Sequence, residues 1–471
     1  LYTFYSMIVF GTDGWRGIIA RDYTFDNLRL VATATARYVL SLFKESPSVV
    51  IGYDTRFLSK EFAEETARIC ACMGITVHLS QSVSSTPQVS FHTKQKGCSL
   101  GIVITASHNP PIYNGFKVKG NFGGPAYPEQ IADIEKQLAA LYASPMELSL
   151  KSLDEYIEER TIRLFDAQEP YLRYIRKKID LTAIQEAGLR IVYDPMHGAG
   201  INTMHHILPN VKEIHGDYNP SFGEVHHPEP IQQNLRPLIE TVRDGKYDVG
   251  LATDGDADRL GAVDEDGNFV DSHRIFMLLM QYLFEDKKKK GSVVKTVSLT
   301  SMVAEYCEKH GIEVIETPVG FKHTAKLMNE TKVLIGGEES GGLGTCVHIP
   351  ERDGIFNGLL LLEMIATRKK SLKQLCDDLD KEFGNHRYAR RDVTVSEKQK
   401  QAILAACRTN PTHIGRFEVR ETNTLDGFKF IFDNGWLLIR ASGTEPLIRF
   451  YAEAESMSKV NEILDEALKM Q

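Results

Sequence analysis

Residues 104–111 place a hydroxyl group where it can do covalent chemistry. They are Ile-Thr-Ala-Ser-His-Asn-Pro-Pro, and the apolar residues 100–104 predict a buried strand leading into them. The two prolines prevent the chain from continuing as a helix or as a paired strand. Ser107 is therefore expected in a rigid turn at a strand end, beside His108. We interpret Ser107 as the covalent carrier of a phosphoryl group, and an ordinary polar turn is the alternative.

A second stretch, 254–259, carries three carboxylates at alternate positions in the order Asp-Gly-Asp-Ala-Asp-Arg. Alternate side chains of an extended segment point the same way, so the three acids can form one set of oxygen ligands. Mg²⁺ is the first choice for such a set because it accepts oxygen ligands and commonly keeps a phosphate beside them. A calcium EF-hand is excluded, because Arg259 occupies the position that needs glycine. The pattern predicts a metal site at Asp254, Asp256 and Asp258, rather than a solvated acidic turn.

Two further loops combine glycine with polar groups that bind small ligands. Residues 440–446, Arg-Ala-Ser-Gly-Thr-Glu-Pro, offer a guanidinium, two hydroxyls and accessible backbone N–H groups to a phosphate dianion, and Arg449 follows. Residues 336–342, Gly-Gly-Glu-Glu-Ser-Gly-Gly, offer acids and a hydroxyl that can bind vicinal hydroxyls of a sugar. A structural turn is the alternative for each loop. Lys322 and His323 are further candidates near the sugar-type loop.

Composition limits the classes of function. The 471 residues are 42% hydrophobic and 25% charged, which is typical of a globular protein of about three or four domains. The net charge of −8 argues against nucleic acid as a partner, so a phosphorylated substrate needs a local basic pocket. Seven scattered cysteines without zinc spacing fit a reduced, cytoplasmic protein. The longest apolar stretches, Phe276–Phe284 and Leu359–Ala366, are too short to span a membrane, and the first residues do not resemble a signal peptide.

The elements between these loops repeat one α/β pattern three times. Each repeat presents one polar loop at a strand end, which is where open α/β sheets bind ligands. Asp26 is the predicted N-cap of the first helix. A different, α+β pattern follows Gly384. The predicted helices are 26–43, 59–73, 201–208, 273–285, 301–310, 397–407 and 456–469, and the predicted strands are 49–54, 75–79, 100–104, 189–193, 249–252, 293–299, 312–315, 332–335, 391–395, 415–421, 427–433 and 435–440.

These four loops, in this order, resemble the signature loops of the α-D-phosphohexomutase superfamily, and the resemblance covers essentially the whole chain. Residues 105–110 resemble its phosphoserine loop, 254–259 its metal loop with alanine where glycine is commoner, 337–341 its sugar loop and 440–446 its phosphate loop. The resemblance implies an α/β fold of three related mixed α/β domains and a smaller C-terminal α+β domain around a central cleft. The expected domains are 1–150, 151–268, 269–386 and 387–471.

The resemblance also implies reversible phosphoryl transfer between the 1- and 6-positions of a hexose, with Mg²⁺ as cofactor and glucose 1,6-bisphosphate as intermediate and activator. Ser107 would carry the phosphoryl group and complete the metal ligands. Lys117 matches the family's general acid/base, and it can act as a base only if its pKa is lowered. The other implied site residues are His108 and Arg259 as helpers, Arg16 of the N-terminal loop, Glu338 and Ser340 as sugar ligands, and Arg440, Ser442, Gly443, Thr444 and Arg449 as phosphate ligands.

Details of the sugar loop favour glucose as the substrate. Glu339 stands where phosphoglucosamine mutases usually have glutamine and dual phosphomannomutase/phosphoglucomutases have methionine, and Gly342 stands where the former have histidine. Gly-Phe-Lys at 320–322 is also similar to phosphoglucomutases. We therefore expect glucose 1-phosphate and glucose 6-phosphate as substrates of a monomer or homodimer, with mannose and glucosamine phosphates as alternatives. A metal-dependent sugar phosphatase and a non-catalytic sugar-phosphate sensor are the competing hypotheses.

Overall fold

The computed structural model describes residues 8–441 and 447–470 of the chain. Within these ranges the backbone forms four sheet-based units that follow one another in sequence, and the fourth unit carries an additional two-stranded ribbon. The first three units are α/β and the fourth is α+β, which confirms the predicted fold class.

The first unit is a six-stranded mixed sheet with helices on it. Its elements are β1 (Trp15–Ile18), α1 (Phe25–Leu42), β2 (Ser48–Tyr53), α2 (Ser59–Cys72), β3 (Thr76–Ser80), α3 (Thr86–Gln95), β4 (Leu100–Ile104), β5 (Tyr113–Gly120), α4 (Pro128–Ala143), α5 (Leu153–Glu158) and β6 (Ile162–Phe165). The strand order is β1-β5-β4-β2-β3-β6, and β5 runs antiparallel to its two neighbours. Because β6 pairs with β3, this sheet extends past the expected domain boundary at residue 150.

The second unit is a five-stranded sheet. Its elements are α6 (Gln168–Arg176), α7 (Leu181–Ala187), β7 (Ile191–Asp194), α8 (Thr203–Ile207), β8 (Lys212–Glu213), α9 (Arg236–Gly245), β9 (Val249–Thr253), β10 (Leu260–Val263) and β11 (Phe269–Val270). The strand order is β11-β10-β9-β7-β8, with β7, β8 and β9 parallel.

The third unit has a four-stranded sheet of order β13-β12-β14-β15. Its elements are α10 (Ser272–Gln281), β12 (Ser292–Thr296), α11 (Met302–His310), β13 (Val314–Thr317), α12 (Phe321–Glu330), β14 (Val333–Gly337), β15 (Leu343–Thr345), α13 (Gly354–Arg368) and α14 (Leu372–Phe383). Helix α13 is apolar almost all round and lies in a continuous core shared by the second and third units, so these two units pack as neighbours.

The fourth unit is an antiparallel sheet of order β16-β22-β21-β20-β19 with its own separate core. Its elements are β16 (Arg387–Thr394), α15 (Glu397–Arg408), β17 (His413–Ile414), β18 (Phe417–Glu418), β19 (Glu421–Asn423), β20 (Phe428–Phe432), β21 (Gly435–Ala441), β22 (Leu447–Ala454) and α16 (Met457–Leu468).

Three of the four predicted chemistry loops occupy the same place in their units. Residues 105–112 connect β4 to β5, residues 254–259 connect β9 to β10, and residues 338–342 connect β14 to β15. In each case the strand before the loop is parallel to its other neighbour in the sheet, and the strand after the loop pairs with it in antiparallel orientation. The predicted repeat is therefore present, and it delivers each loop at a strand end.

Two local predictions were wrong. The N-cap of α1 is Thr24, whose side chain accepts a hydrogen bond from the N–H of Asn27, whereas Asp26 lies inside the first turn. The stretch predicted as strand 415–421 contains β18 and the first residue of β19, and Gly415, with φ +56°, turns the chain between β17 and β18.

In the part of the chain that the structure describes, no helix combines the length and the apolar character needed to cross a membrane.

Candidate active site

The Ser107 loop and the aspartate loop meet directly. Ser107 has φ +52°, an unusual conformation for a residue with a Cβ, and its Oγ donates a hydrogen bond to Asp254 Oδ2 at 2.8 Å. Gly255 makes this approach possible, because a Cβ at that position would collide with the carbonyl oxygen of Ser107. His108 lies beside the hydroxyl, with Nδ1 at 3.4 Å from Ser107 Oγ. Residues 147 positions apart thus share one site.

The three predicted metal ligands are brought together. Asp254, Asp256 and Asp258 are fully buried, and each offers an oxygen within 4.8 Å of the others. Burial and then the two neighbouring acids raise the pKa of Asp254 well above its ordinary value. Within the described residues, Oδ1 of Asp256 and Oδ1 of Asp258 have no hydrogen-bond partner. Buried carboxylates with mutual repulsion and unpartnered oxygens fit a small divalent cation.

Lys117 lies on β5 and points into this carboxylate cluster. Its Nζ is 2.7 Å from Asp256 Oδ2, 3.2 Å from Asp258 Oδ2 and 2.8 Å from Asp13 Oδ2. Burial disfavours the ammonium, but the three carboxylates outweigh it and raise the pKa of Lys117 above its ordinary value. The condition for a resting general base, a lowered pKa, is therefore not met in this arrangement. Lys117 is a cation that can donate a proton.

A second group of cations surrounds His108. Burial, followed by the charges of Arg259 and Arg16, lowers the pKa of His108 well below its ordinary value, and Lys117 and Arg390 add to this effect. Arg16 donates a hydrogen bond to the side chain of Asn109 in the Ser107 loop. Arg259, Arg16, Lys117 and Arg390 thus form a local cluster of positive charge around His108 in an otherwise acidic protein.

The metal loop also contacts the sugar-type loop. The backbones of Arg259 and Gly342 pair in an isolated antiparallel β-bridge, and the N–H of Leu260 donates a hydrogen bond to the carbonyl oxygen of Gly341 at 3.1 Å. Arg259 pairs with Glu229 at 3.0 Å. Ser340 lies in the same loop and is partly exposed. These contacts place the second and third predicted loops side by side.

Arg352 connects three loops, and the sequence reasoning did not single it out. It is buried, with Nη2 2.7 Å from Asp258 Oδ2 and in contact with Asp13, while Nη1 is 3.3 Å from Glu338 Oε2. The other oxygen of Glu338 accepts a hydrogen bond from the N–H of Gly320. Glu338 thus receives two donors and is held rigidly at the cleft.

Glu339 is oriented differently from Glu338. Its Oε2 accepts a hydrogen bond from Ser298 at 2.6 Å. The pKa of Tyr388, on β16 of the fourth unit, is raised first by burial and next by the charge of Glu339. The residue that favoured glucose in the sequence therefore faces the junction between the third and fourth units, and does not share the contacts of Glu338.

The fourth unit reaches the cleft through Arg440. Its Nε is 2.9 Å from Asp426 Oδ2, and the same oxygen accepts a hydrogen bond from the N–H of Val319 at 2.8 Å. Val319 precedes Lys322 and His323, which are partly buried at the start of α12. Arg449 lies opposite Arg440 in the pairing of β21 with β22. Ser442, Gly443 and Thr444 of the predicted phosphate loop lie outside the described residues.

Asp13, Thr86 and Arg390 were also missed as site residues. Asp13 contacts both Lys117 and Arg352, the Thr86 hydroxyl bonds to Asp256, and Arg390 lies near His108. Asp13 lies three positions before Arg16, in the N-terminal loop that the resemblance implied as part of the site. For Thr86 and Arg390 no local sequence signal exists, because their partners come from other units.

Models of known families match nearly the whole chain. The phosphoglucomutase/phosphomannomutase models match residues 7–144 as α/β/α domain I, 169–267 as domain II, 271–383 as domain III and 392–470 as the C-terminal domain. The chain belongs to the phosphoglucomutase/phosphomannomutase family. This confirms the resemblance to α-D-phosphohexomutases that the four loops indicated.

Individual members of this family show the same extent of likeness. A phosphoglucomutase/phosphomannomutase of Thermococcus kodakarensis is 30% identical over 98% of both chains, and a phosphoglucosamine mutase of Anoxybacillus flavithermus is 31% identical over 97% of this chain and 96% of its own. A Thermus thermophilus crystal structure assigned as a phosphomannomutase superposes with a TM-score of 0.86 at 33% identity, over 99% of each chain. The names of these relatives cover three sugars, so family membership establishes a phosphohexomutase without selecting its substrate.

Proposed function

We propose that this phosphohexomutase interconverts glucose 1-phosphate and glucose 6-phosphate by passing a phosphoryl group through Ser107. The contact that best supports this role is the 2.8 Å hydrogen bond from Ser107 Oγ to Asp254 Oδ2, which sets a nucleophilic hydroxyl against a cluster of acids. His108, beside the hydroxyl, is close enough to Arg16 and Arg259 for their charges to lower its pKa. A seryl phosphate at this position has cationic neighbours on one side and the aspartate loop on the other.

Mg²⁺ is the metal that we assign to Asp254, Asp256 and Asp258. The three carboxylates are buried and supply hard oxygen ligands, and two of their oxygens lack hydrogen-bond partners among the described residues. Bound there, magnesium would supply charge neutralisation at the phosphoryl oxygens during transfer. Lys117 and Arg352 already neutralise part of the cluster, so the residues present accommodate one divalent ion and one phosphate together.

The residues suggest a simple sequence for each half-reaction. A sugar hydroxyl attacks the phosphorus of the Ser107 phosphate, the bond from phosphorus to Oγ breaks, and the new bond gives a sugar bisphosphate. Lys117, whose carboxylate neighbours favour the ammonium form, donates a proton to Oγ as that bond breaks. The attacking hydroxyl releases one proton, so Lys117 regains the proton that it gave. The bisphosphate then turns over, and its other phosphate returns to Ser107 by the reverse steps.

Turnover of the bisphosphate requires sugar contacts that accept two orientations. Glu338 is held by Gly320 and Arg352 at the edge of the metal loop, where it can bind hydroxyl groups in either pose. Ser340, Lys322 and His323 are assigned to the same sugar subsite. Arg440 and Arg449, together with residues 442–444 of the sequence, are assigned to the phosphate that is not reacting.

Gly342 supports glucose over glucosamine phosphate as the substrate. A Cβ at this position would overlap the side chain of Arg352 at Cδ. The histidine that phosphoglucosamine mutases usually carry there would therefore displace Arg352 from Asp258 and Glu338. Arg352 as placed is consistent with a glucose-type loop.

One kinetic comparison tests these assignments. The enzyme is primed with glucose 1,6-bisphosphate in Mg²⁺ and supplied with glucose, mannose or glucosamine 1-phosphate, and both 6-phosphate and inorganic phosphate are measured. We expect the highest kcat/KM with glucose 1-phosphate, no release of inorganic phosphate above background, and loss of activity with a chelator. A higher kcat/KM for another sugar refutes the glucose assignment. Net phosphate release indicates a phosphatase, and binding without turnover indicates a sensor.

A further inference from the structure

We infer that Arg56 is a positioning residue that holds the Ser107 loop against the metal loop, an inference that rests on the proposed role of Ser107. Arg56 directly follows Asp54-Thr55 at the end of β2 and is fully buried in the first unit. It lies within hydrogen-bond distance of the backbone on both sides of the turn that carries the serine. It has no access to a substrate phosphate, so its effect must pass through the loop.

All five N–H groups of the Arg56 guanidinium are used. Nη2 donates to the carbonyl oxygens of Ser107 and Asn109, and Nη1 donates to those of Pro110 and Tyr113 at 2.8 and 3.0 Å. Nε completes the set with Asp54 Oδ2 at 3.1 Å. A planar fork with five donors matches this arrangement, and no other side chain has that number in one plane.

Arg56 acts as a clamp on the Ser107 loop, whose internal backbone hydrogen bonds run from the N–H of Asn109 to the carbonyl oxygen of Ala106 and from the N–H of Tyr113 to that of Pro110. Ser107 is in the left-handed region, a strained conformation that persists only where the surroundings fix it. Pro110 and Pro111 carry no N–H, so the loop has few donors of its own to satisfy its carbonyl oxygens. Arg56 supplies four of those donors at once. Without them the loop is free to relax away from Asp254.

The clamp itself is fixed by both the first and the second unit. Asp54 accepts hydrogen bonds from the hydroxyls of Ser59 and Thr105, at 2.7 and 2.6 Å, which orients it toward Arg56. The ring of Phe222, from the second unit, lies with its centroid 4.9 Å from the guanidinium carbon. A substitution at Arg56 therefore changes where the serine sits relative to the aspartates, while leaving the three aspartates and the sugar-loop side chains themselves unchanged.

The test is Arg56→Lys, with Arg274→Lys as the matched control. Arg274 is also buried and lies on α10, and among the described residues its two ion-pair partners, Asp271 and Asp380, are outside the site loops. A lysine offers three donors from one nitrogen and cannot reach all four carbonyl oxygens. We expect Arg56→Lys to lower kcat about 10²-fold, since displacements near 1 Å at the reacting groups cost that much. We expect the KM for sugar phosphate and the affinity for Mg²⁺ to stay within about threefold of wild type.

A second measurement does not depend on turnover. Amide hydrogen exchange of residues 105–113 should accelerate in Arg56→Lys and stay at the wild-type rate in Arg274→Lys. Unchanged exchange, or an unchanged kcat, overturns the inference, and so does an equal loss in Arg274→Lys. If Arg56→Lys does not fold, the same two measurements are made on Asp54→Asn. That substitution weakens the ion pair that orients the guanidinium and keeps the guanidinium itself. An inactive wild-type enzyme would refute the proposed function, whereas the exchange comparison would still decide whether Arg56 holds the loop.

Discussion

Replacing Gly255 with alanine should separate the serine from the metal loop with the smallest possible change in chemistry. Gly255 lies between Asp254 and Asp256 and has no side chain to lose. An added Cβ would lie 2.3 Å from the carbonyl oxygen of Ser107 and 3.2 Å from Cγ of Pro228. The first neighbour is a backbone atom of a loop fixed by many hydrogen bonds, so it cannot yield as a flexible side chain would. The two loops must move apart.

The size of the movement follows from contact distances. A carbon and an oxygen that are not bonded approach to about 3.3 Å, so the loops must separate by roughly 1 Å. A misplacement of that size at the reacting groups costs about 10²-fold in rate. Overpacking of this kind destabilises a protein by about 1–3 kcal/mol, which a large folded chain tolerates. We therefore expect kcat to fall about 10²-fold with a modest decrease in melting temperature.

The assay is steady-state conversion of glucose 1-phosphate, with Gly216→Ala as the control. The three atoms nearest to a Cβ on Gly216 all belong to the Glu213 side chain, which lies outside the site loops and can shift, so that variant should retain wild-type kcat. The three aspartates remain in Gly255→Ala, so its Mg²⁺ requirement should persist. If kcat of Gly255→Ala stays within about threefold of wild type, the close approach of the two loops does not limit transfer.

Three further predictions concern single side chains. Ser107→Ala should abolish mutase activity at an unchanged melting temperature, and residual wild-type rates would show that another group carries the phosphoryl group. Lys117→Ala should lower kcat by about 10²–10⁴-fold, the usual contribution of acid–base assistance, and a loss below about tenfold would assign that role to a neighbour such as His108. Burial opposes the charged form of His386, but its hydrogen bond and charge interaction with Glu453 outweigh burial and raise its pKa above 6.5. This stabilisation is complete below the unfolded pKa and is lost as pH rises through the folded value, so His386→Gln should lower the melting temperature more at about pH 5.5 than at about pH 9. An equal loss at both values would contradict it.

The repeated α/β pattern and its loops could be predicted because they depend on local sequence. Apolar, β-branched runs followed by glycine, proline or acidic residues define strand ends over a few positions. The connections after β4, β9 and β14 were therefore found as chemistry loops before any contact was known. Local errors occurred where a turn depends on one backbone angle, as at Gly415, or where two neighbouring residues can each cap a helix, as at Thr24 and Asp26.

The sequence by itself determined which groups are available: a serine after a strand, three alternating aspartates, a lysine on the returning strand and arginines for a phosphate. Only the tertiary structure decided how these groups affect one another. Partners from distant parts of the chain raise the pKa of Lys117 and place Arg352 between three loops. The hydrogen bonds of Arg56 to the Ser107 loop likewise join residues that are far apart in sequence. The physical reason is that Coulomb interactions, desolvation and hydrogen bonds act over a few ångströms in space. Those distances are set by the packing of whole units, which no local pattern of residues specifies.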